Sequence, residues 1–178
     1  MTRPLSGVPS GMRYYFGREA HLRRTIEETA MSTFAGWSYE EITTPSVDYY
    51  SLFEHGMGQT EAQRAFRFTD NDGQLLALRP DVTSAAARAA ATILAERERP
   101  LRLCYAAHVF RQQTKSHAEW RRESTQVGCE LIGAASNIAD LEMLAVAAEL
   151  LQRLNLDGSY SITLNDVRIF NGVAERLS

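Results

Sequence analysis

The chain has 178 residues, 44% of them hydrophobic and 23% charged, with a formal net charge of -3. These proportions suit a folded globular protein of one domain over residues 1–178 and exclude intrinsic disorder, while the weak negative charge gives no long-range attraction for a polyanion. No apolar run approaches the about 20 residues of a membrane-spanning helix, and no leader is visible, so a cytoplasmic protein with no membrane association is expected.

Residues 1–16, dotted with Pro4, Gly7, Pro9 and Gly11, read as an extended lead-in. From Gly17, Leu22, Ile26, Ala30 and Phe34 recur at helical spacing. Glu19/Arg23, Arg23/Glu27 and Arg24/Glu28 set opposite charges four apart on the outer face, which predicts an amphipathic helix stopping near Gly36. WSYEEITTP then reads as a short strand closed by Pro45, which cannot donate to a ladder. Residues 46–64 show no clear period, and Gly56 and Gly58 suggest a mobile loop.

AFRFTDNDGQLLALRP predicts two short strands around Asn71, Asp72 and Gly73, residues that tolerate the positive φ of tight turns. Asp81 or Thr83 caps the following alanine-rich helix, expected to run to about Glu96 and to pack through Ala85, Ala86, Ala89, Ala90 and Ile93. Capping accounts for one of these two residues and not readily for both. Arg102–Gly133 forms two strands around a polar loop. Asn137 caps a helix carrying Ile138, Leu141, Leu144, Ala145, Ala148 and Leu151, YSITLN reads as a strand, and Val167–Leu177 as a final helix. Strands joined mainly by hairpins predict an α+β fold, an antiparallel sheet flanked by helices.

The long hairpin carries the chemistry. Gln126, Gly128, Glu130 and Ile132 share one face of its second strand, and Thr125, Val127, Cys129 and Leu131 the other, core-facing one. Two polar groups flanking a glycine suggest an open slot, with the Arg111 guanidinium projecting beside it as a fork for a carboxylate or phosphate. The plainer reading is a structural ion pair between Arg111 and Glu130. Cys104 and Cys129 read as core thiols of a reduced protein. His21, His55, His108 and His117 show no metal-ligand spacing, so no metal is expected, and neither common nucleotide-binding loop occurs.

GWSYEEITTP, FRFTDNDGQLLALRPDVTS, and VFR with TQVGCELIG together resemble the histidyl-tRNA synthetase-like branch of the class II aminoacyl-tRNA synthetase fold, in that family's order. The resemblance implies a histidine-type ligand pocket of Asp81, Thr83, Arg111, Gln126 and Glu130, and a dimer interface at Pro45. Asp81 stands where a glutamate usually receives the amino group, and Arg111 matches the arginine that bridges carboxylate and α-phosphate. The ATP side departs from the pattern: Gln113 replaces a glutamate, and Ser124 replaces the aromatic that stacks on adenine. A lost stack weakens nucleobase binding by roughly 1–3 kcal/mol.

The sequence stops before the family's third signature arginine, its glycine-rich strand and its anticodon-binding domain, so either it is a fragment of a longer protein or the site is incomplete by nature. These departures, with ALRPDVT and RLCYAAHVFR, make it similar to the catalytically silent regulatory subunits of ATP phosphoribosyltransferase. That resemblance implies no catalysis, no cofactor, and histidine as a feedback ligand. It also implies a homodimer within a hetero-oligomer whose partner is the short-form catalytic subunit, and no tRNA binding. The alternative is a fragment of the synthetase catalytic core.

Overall fold

The computed structural model describes residues 7–112, 121–156 and 158–165. Its helices are α1 (Gly17–Gly36), α2 (Tyr50–Met57), α3 (Gln59–Ala62), α4 (Thr83–Ala91) and α5 (Asn137–Arg153). Its strands are β1 (Glu40–Glu41), β2 (Val47–Tyr49), β3 (Arg67–Thr69), β4 (Leu75–Leu78), β5 (Leu101–Phe110) and β6 (Glu123–Ile132).

β5 and β6 form the expected antiparallel hairpin, in register from Leu101↔Ile132 to Phe110↔Glu123. The predicted WSYEEITTP strand shortens to β1 and runs parallel to β5, with Ile42 N donating to Cys104 O at 2.9 Å. The order β1-β5-β6 leaves β6 outermost among the described residues. Most of the polar hairpin loop, residues 113–120, lies outside them, as does the predicted Val167–Leu177 helix.

A second antiparallel sheet, ordered β2-β4-β3, departs from the single sheet expected. Its β3–β4 turn is the predicted one: Asp70 Oδ1 accepts from Asp72 N at 2.9 Å and Gln74 N at 2.8 Å, and Gly73 takes φ +79°. The two sheets meet at Arg79, whose carbonyl accepts from Phe110 N at 2.9 Å. The Arg79 side chain is 6% exposed and donates to His108 O at 2.6 Å, Thr44 O at 2.7 Å and Thr44 Oγ1 at 3.3 Å. It thus ties the chain after β1, the end of β4 and the C-terminal end of β5 together, and its burial lowers its pKa.

Helices cover both faces of the central sheet. On one side Ala30, Phe34, Tyr39, Cys104 and Val146 pack together with Val127 and Cys129, so the core-facing parity of β6 is as expected. On the other side Ala90 meets Leu101 and Leu103, while Val82 meets Tyr105 and Val109. Residues 46–64, which show no clear period, form β2, α2 and α3, with Gly56 inside α2 rather than in a mobile loop, and Tyr50, Phe53 and Ala62 build a core with Ala77 of β4.

Several helix details differ from the periodicity. Only the C-terminal half of α1 is packed, with Leu22 and Ile26 exposed, because α5 meets it near Thr33 and Phe34. Arg24–Glu28 forms at 3.9 Å, whereas Glu19 pairs with Arg13, and Arg23 stacks on Tyr15 at 3.7 Å. α4 ends at Ala91, before Glu96, leaving Ile93 80% exposed. α5 is capped by Ser136, accepting from Ala139 N, rather than by Asn137, and its Ile138 and Leu141 face outward. YSITLN forms no strand, and Ser161–Asn165 are exposed.

Candidate functional site

The β5–β6 register sets Tyr105 opposite Gly128, with both side-chain positions on the face toward α4. The slot expected at Gly128 is therefore filled by the Tyr105 ring: a Cβ there would lie 2.7 Å from the tyrosine oxygen and 2.8 Å from Cζ. Glycine is needed because the ring crosses the partner strand at backbone distance. Tyr105 is itself 3% exposed, and its hydroxyl donates to Glu130 Oε1 at 3.1 Å and accepts from Gln126 Nε2 at 3.3 Å. Tyr105 was not singled out from sequence; the observed register alone pairs it with Gly128.

Glu130 Oε1 also accepts from Thr83 Oγ1 at 2.8 Å. The ion pair between Arg111 and Glu130 is not formed; Arg111 Nε donates to Pro80 O at 2.7 Å. Asp81 and Thr83 divide their duties: Asp81 Oδ1 accepts from Ser84 N at 3.1 Å at the start of α4, while Thr83 directs its hydroxyl to β6. Four expected site residues therefore lie around one place. Thr83, Gln126 and Glu130 share a network through Tyr105, and Asp81 adjoins it at the helix start. Pro45 is exposed beside β2 in the second sheet and is not part of this cluster.

Two clefts flank α4 at this cluster. One, of about 570 Å³, lies between α2 and α4 and is lined by His55, Asp81, Thr83 and Arg88, among others. The other, of about 270 Å³, is lined by Thr83, Arg99, Glu130 and Ile132 with α4 alanines. Arg88 is held by Asp48 of β2, which is 8% exposed, with Nη1–Oδ1 at 2.7 Å. Gln126 Oε1 is buried without a hydrogen-bond partner, an acceptor suited to a ligand N–H.

Burial pushes the Tyr105 hydroxyl up to about 12, and the Glu130 and Asp81 charges add to the rise, so tyrosine stays a neutral donor here. Asp81 lines the larger cleft and Glu130 the smaller, so each cleft carries one of the two carboxylates. No group of three or more His, Cys, Asp or Glu side chains able to hold a metal occurs among the described residues. Ser124, on the adenine side of the expectation, is exposed on β6, and Gln113 lies outside the described residues.

A parallel-edged antiparallel hairpin, helices on both faces and a polar cluster at the start of α4 define a class II aminoacyl-tRNA synthetase-like core. The chain belongs to the histidyl-tRNA synthetase family, whose profile matches residues 11–178. It is 37% identical over 171 residues to the ATP phosphoribosyltransferase regulatory subunit of Moorella thermoacetica, covering 96% of this chain and 43% of that protein. The histidine–tRNA ligase of Methanococcus aeolicus is 32% identical over 167 residues, 94% of this chain and 39% of that one. A solved structure from Bacillus halodurans, described as an ATP phosphoribosyltransferase regulatory subunit/histidyl-tRNA synthetase, superposes with a TM-score of 0.79. It is 32% identical, over 88% of this chain and 40% of that one. The chain thus spans less than half the length of these relatives. No helix among the described residues is long and apolar enough to cross a membrane.

Proposed function

We propose that this chain belongs to a non-catalytic regulatory subunit of ATP phosphoribosyltransferase, which binds the short-form catalytic subunit, enables its activity and confers feedback by histidine. The reading rests on the likeness to the Moorella thermoacetica protein together with one structural observation. Thr83, Tyr105, Gln126 and Glu130 are joined by hydrogen bonds, which supports reading them as a histidine pocket, and Ser124 is an exposed β6 residue with no ring to stack on a base. Asp81, Thr83, Arg111, Gln126 and Glu130 form the recognition set of this proposal. Gln126 Oε1 supplies an acceptor for a histidine N–H, and the Asp81 and Glu130 carboxylates favour its positive charge. Feedback then requires histidine to bind one arrangement of the complex more tightly than another.

Self-association through the Pro45 region is part of the same proposal. Pro45 adjoins a sheet face on which Tyr49, Leu76 and Phe68 are direct cross-strand neighbours, with Tyr49 54% and Phe68 42% exposed. Such an apolar surface suits a second copy.

The deciding experiment measures phosphoribosyl-ATP formation by the short catalytic subunit with and without the full-length protein, and then with histidine added. Stimulation reversed by histidine supports the reading; no stimulation with both proteins folded sinks it. The second reading, a synthetase core, is favoured by the likeness to the Methanococcus aeolicus ligase. It predicts histidine-dependent ATP/pyrophosphate exchange.

A further inference from the structure

The two cysteines of the chain, Cys104 on β5 and Cys129 on β6, are direct cross-strand partners. The kind of pair follows from the backbone. Cys104 O accepts from Ile42 N on the β1 side, and within a strand the N–H and C=O of one residue point the same way. Cys104 therefore turns both backbone groups away from β6, and Cys104↔Cys129 is a non-hydrogen-bonded pair. In such pairs the Cα atoms approach to about 4.5 Å and the side chains lie closest. That spacing falls inside the disulfide range, which begins at about 4.4 Å. Both side chains lie on the same face, packed with Phe34 and Tyr39, and both are free thiols.

We infer that Cys104 and Cys129 are a site of reversible disulfide formation, closed by a small peroxide and opened by thiols. Cys129 is the half-buried partner and Cys104 the fully buried one, which assigns their order. The Cys129 thiolate attacks one peroxide oxygen and breaks the O–O bond, giving a sulfenic acid and hydroxide, which takes up the proton lost by the thiol. Cys104 sulfur then attacks the Cys129 sulfur, the S–O bond breaks, and the Cys104 proton leaves with the hydroxyl as water. Two thiols and one hydrogen peroxide thus give one disulfide and two waters. Burial raises both thiols to about 11, so closure at neutral pH is slow and marks sustained oxidation rather than a brief pulse.

The bond would lie directly beneath the polar cluster. Tyr105 and Glu130 each follow one of the cysteines in sequence and project from the opposite face of the hairpin. Closure locks the register that sets Tyr105 against Gly128.

The test treats the full-length protein with hydrogen peroxide, then denatures, alkylates and peptide-maps it. The expected result is loss of alkylation at both cysteines, with the β5 and β6 peptides recovered as one cross-linked species that reduction separates. In the Cys129→Ser variant, Cys104 is expected to stay alkylatable under the same exposure. Retained alkylation at both wild-type cysteines, sulfinic or sulfonic acids without a cross-link, or links found only between two chains would each overturn the inference.

Discussion

Thr83 Oγ1 donates to Glu130 Oε1 at 2.8 Å, joining the first residue of α4 to β6 of the central sheet. The bond orients one carboxylate oxygen that Tyr105 also holds, so the charge at the cluster is placed before any ligand arrives. Replacing Glu130→Gln keeps the shape and removes the charge. Histidine affinity of the full-length protein is expected to fall about 10-fold or more, the scale of a lost charge-assisted bond. Calorimetric titration reads this directly, and an unchanged Kd together with an unchanged inhibition curve would remove this pocket as the sensor.

Gly128→Ala places a methyl against the Tyr105 ring, which is pinned by its own strand. Overpacking at such a site costs about 1–3 kcal/mol. Urea unfolding should show a lower midpoint at unchanged slope, and Tyr105→Ala in the same background should recover part of the loss.

Arg79→Met fills similar space yet withdraws the donors from His108 O, Thr44 O and Thr44 Oγ1. Leaving buried acceptors unpaired costs about 1–3 kcal/mol each, so a large fall in melting temperature is expected. Arg79→Lys should recover little, since one ammonium cannot reproduce the fork. A small change in either variant would mean that the Arg79 side chain adds little to the join between the two sheets.

Stability should fall on the alkaline side. Tyr105 stays protonated to about 12 against an ordinary 10.0, and Cys104 and Cys129 to about 11 against 9.0. Across that window the native state binds more protons than the unfolded chain, so each rise in pH favours unfolding. Burial shifts Tyr39 in the same direction. Glu142 acts at the other end: its hydrogen bonds from Arg102, at 2.9 and 2.8 Å, hold the carboxyl below 4.5. Its stabilisation is complete above that value and lost as pH falls through the lowered one. Thermal melts across pH should flatten at the alkaline end for Tyr105→Phe and at the acid end for Glu142→Gln.

The hairpin, the β3–β4 turn and α1 were legible because alternation, an Asn-Asp-Gly turn and a glycine boundary are local signals. Residues 46–64 were not, because β2 and α2 gain their order from β4, where Ala77 pairs with Asp48 and packs on Tyr50 and Phe53, contacts that lie outside the stretch itself. The cluster was half legible. The polar residues of β6 stood out by parity, but Tyr105 read as an ordinary strand aromatic until the register set it across Gly128. Thr83 looked like a cap because sequence places it at a helix start, and only the sheet shows Glu130 within reach of its hydroxyl.

β6 meets β5 on one side alone among the described residues, and that asymmetry divides its amides into two populations. Since Cys104 faces away from β6, Cys129 does as well, and with it Thr125, Val127 and Leu131 turn their N–H groups outward. Gln126, Gly128 and Glu130 turn theirs inward to the ladder. Deuterium uptake along this strand should therefore alternate residue by residue, with the slow amides belonging to the face that Tyr105 crosses.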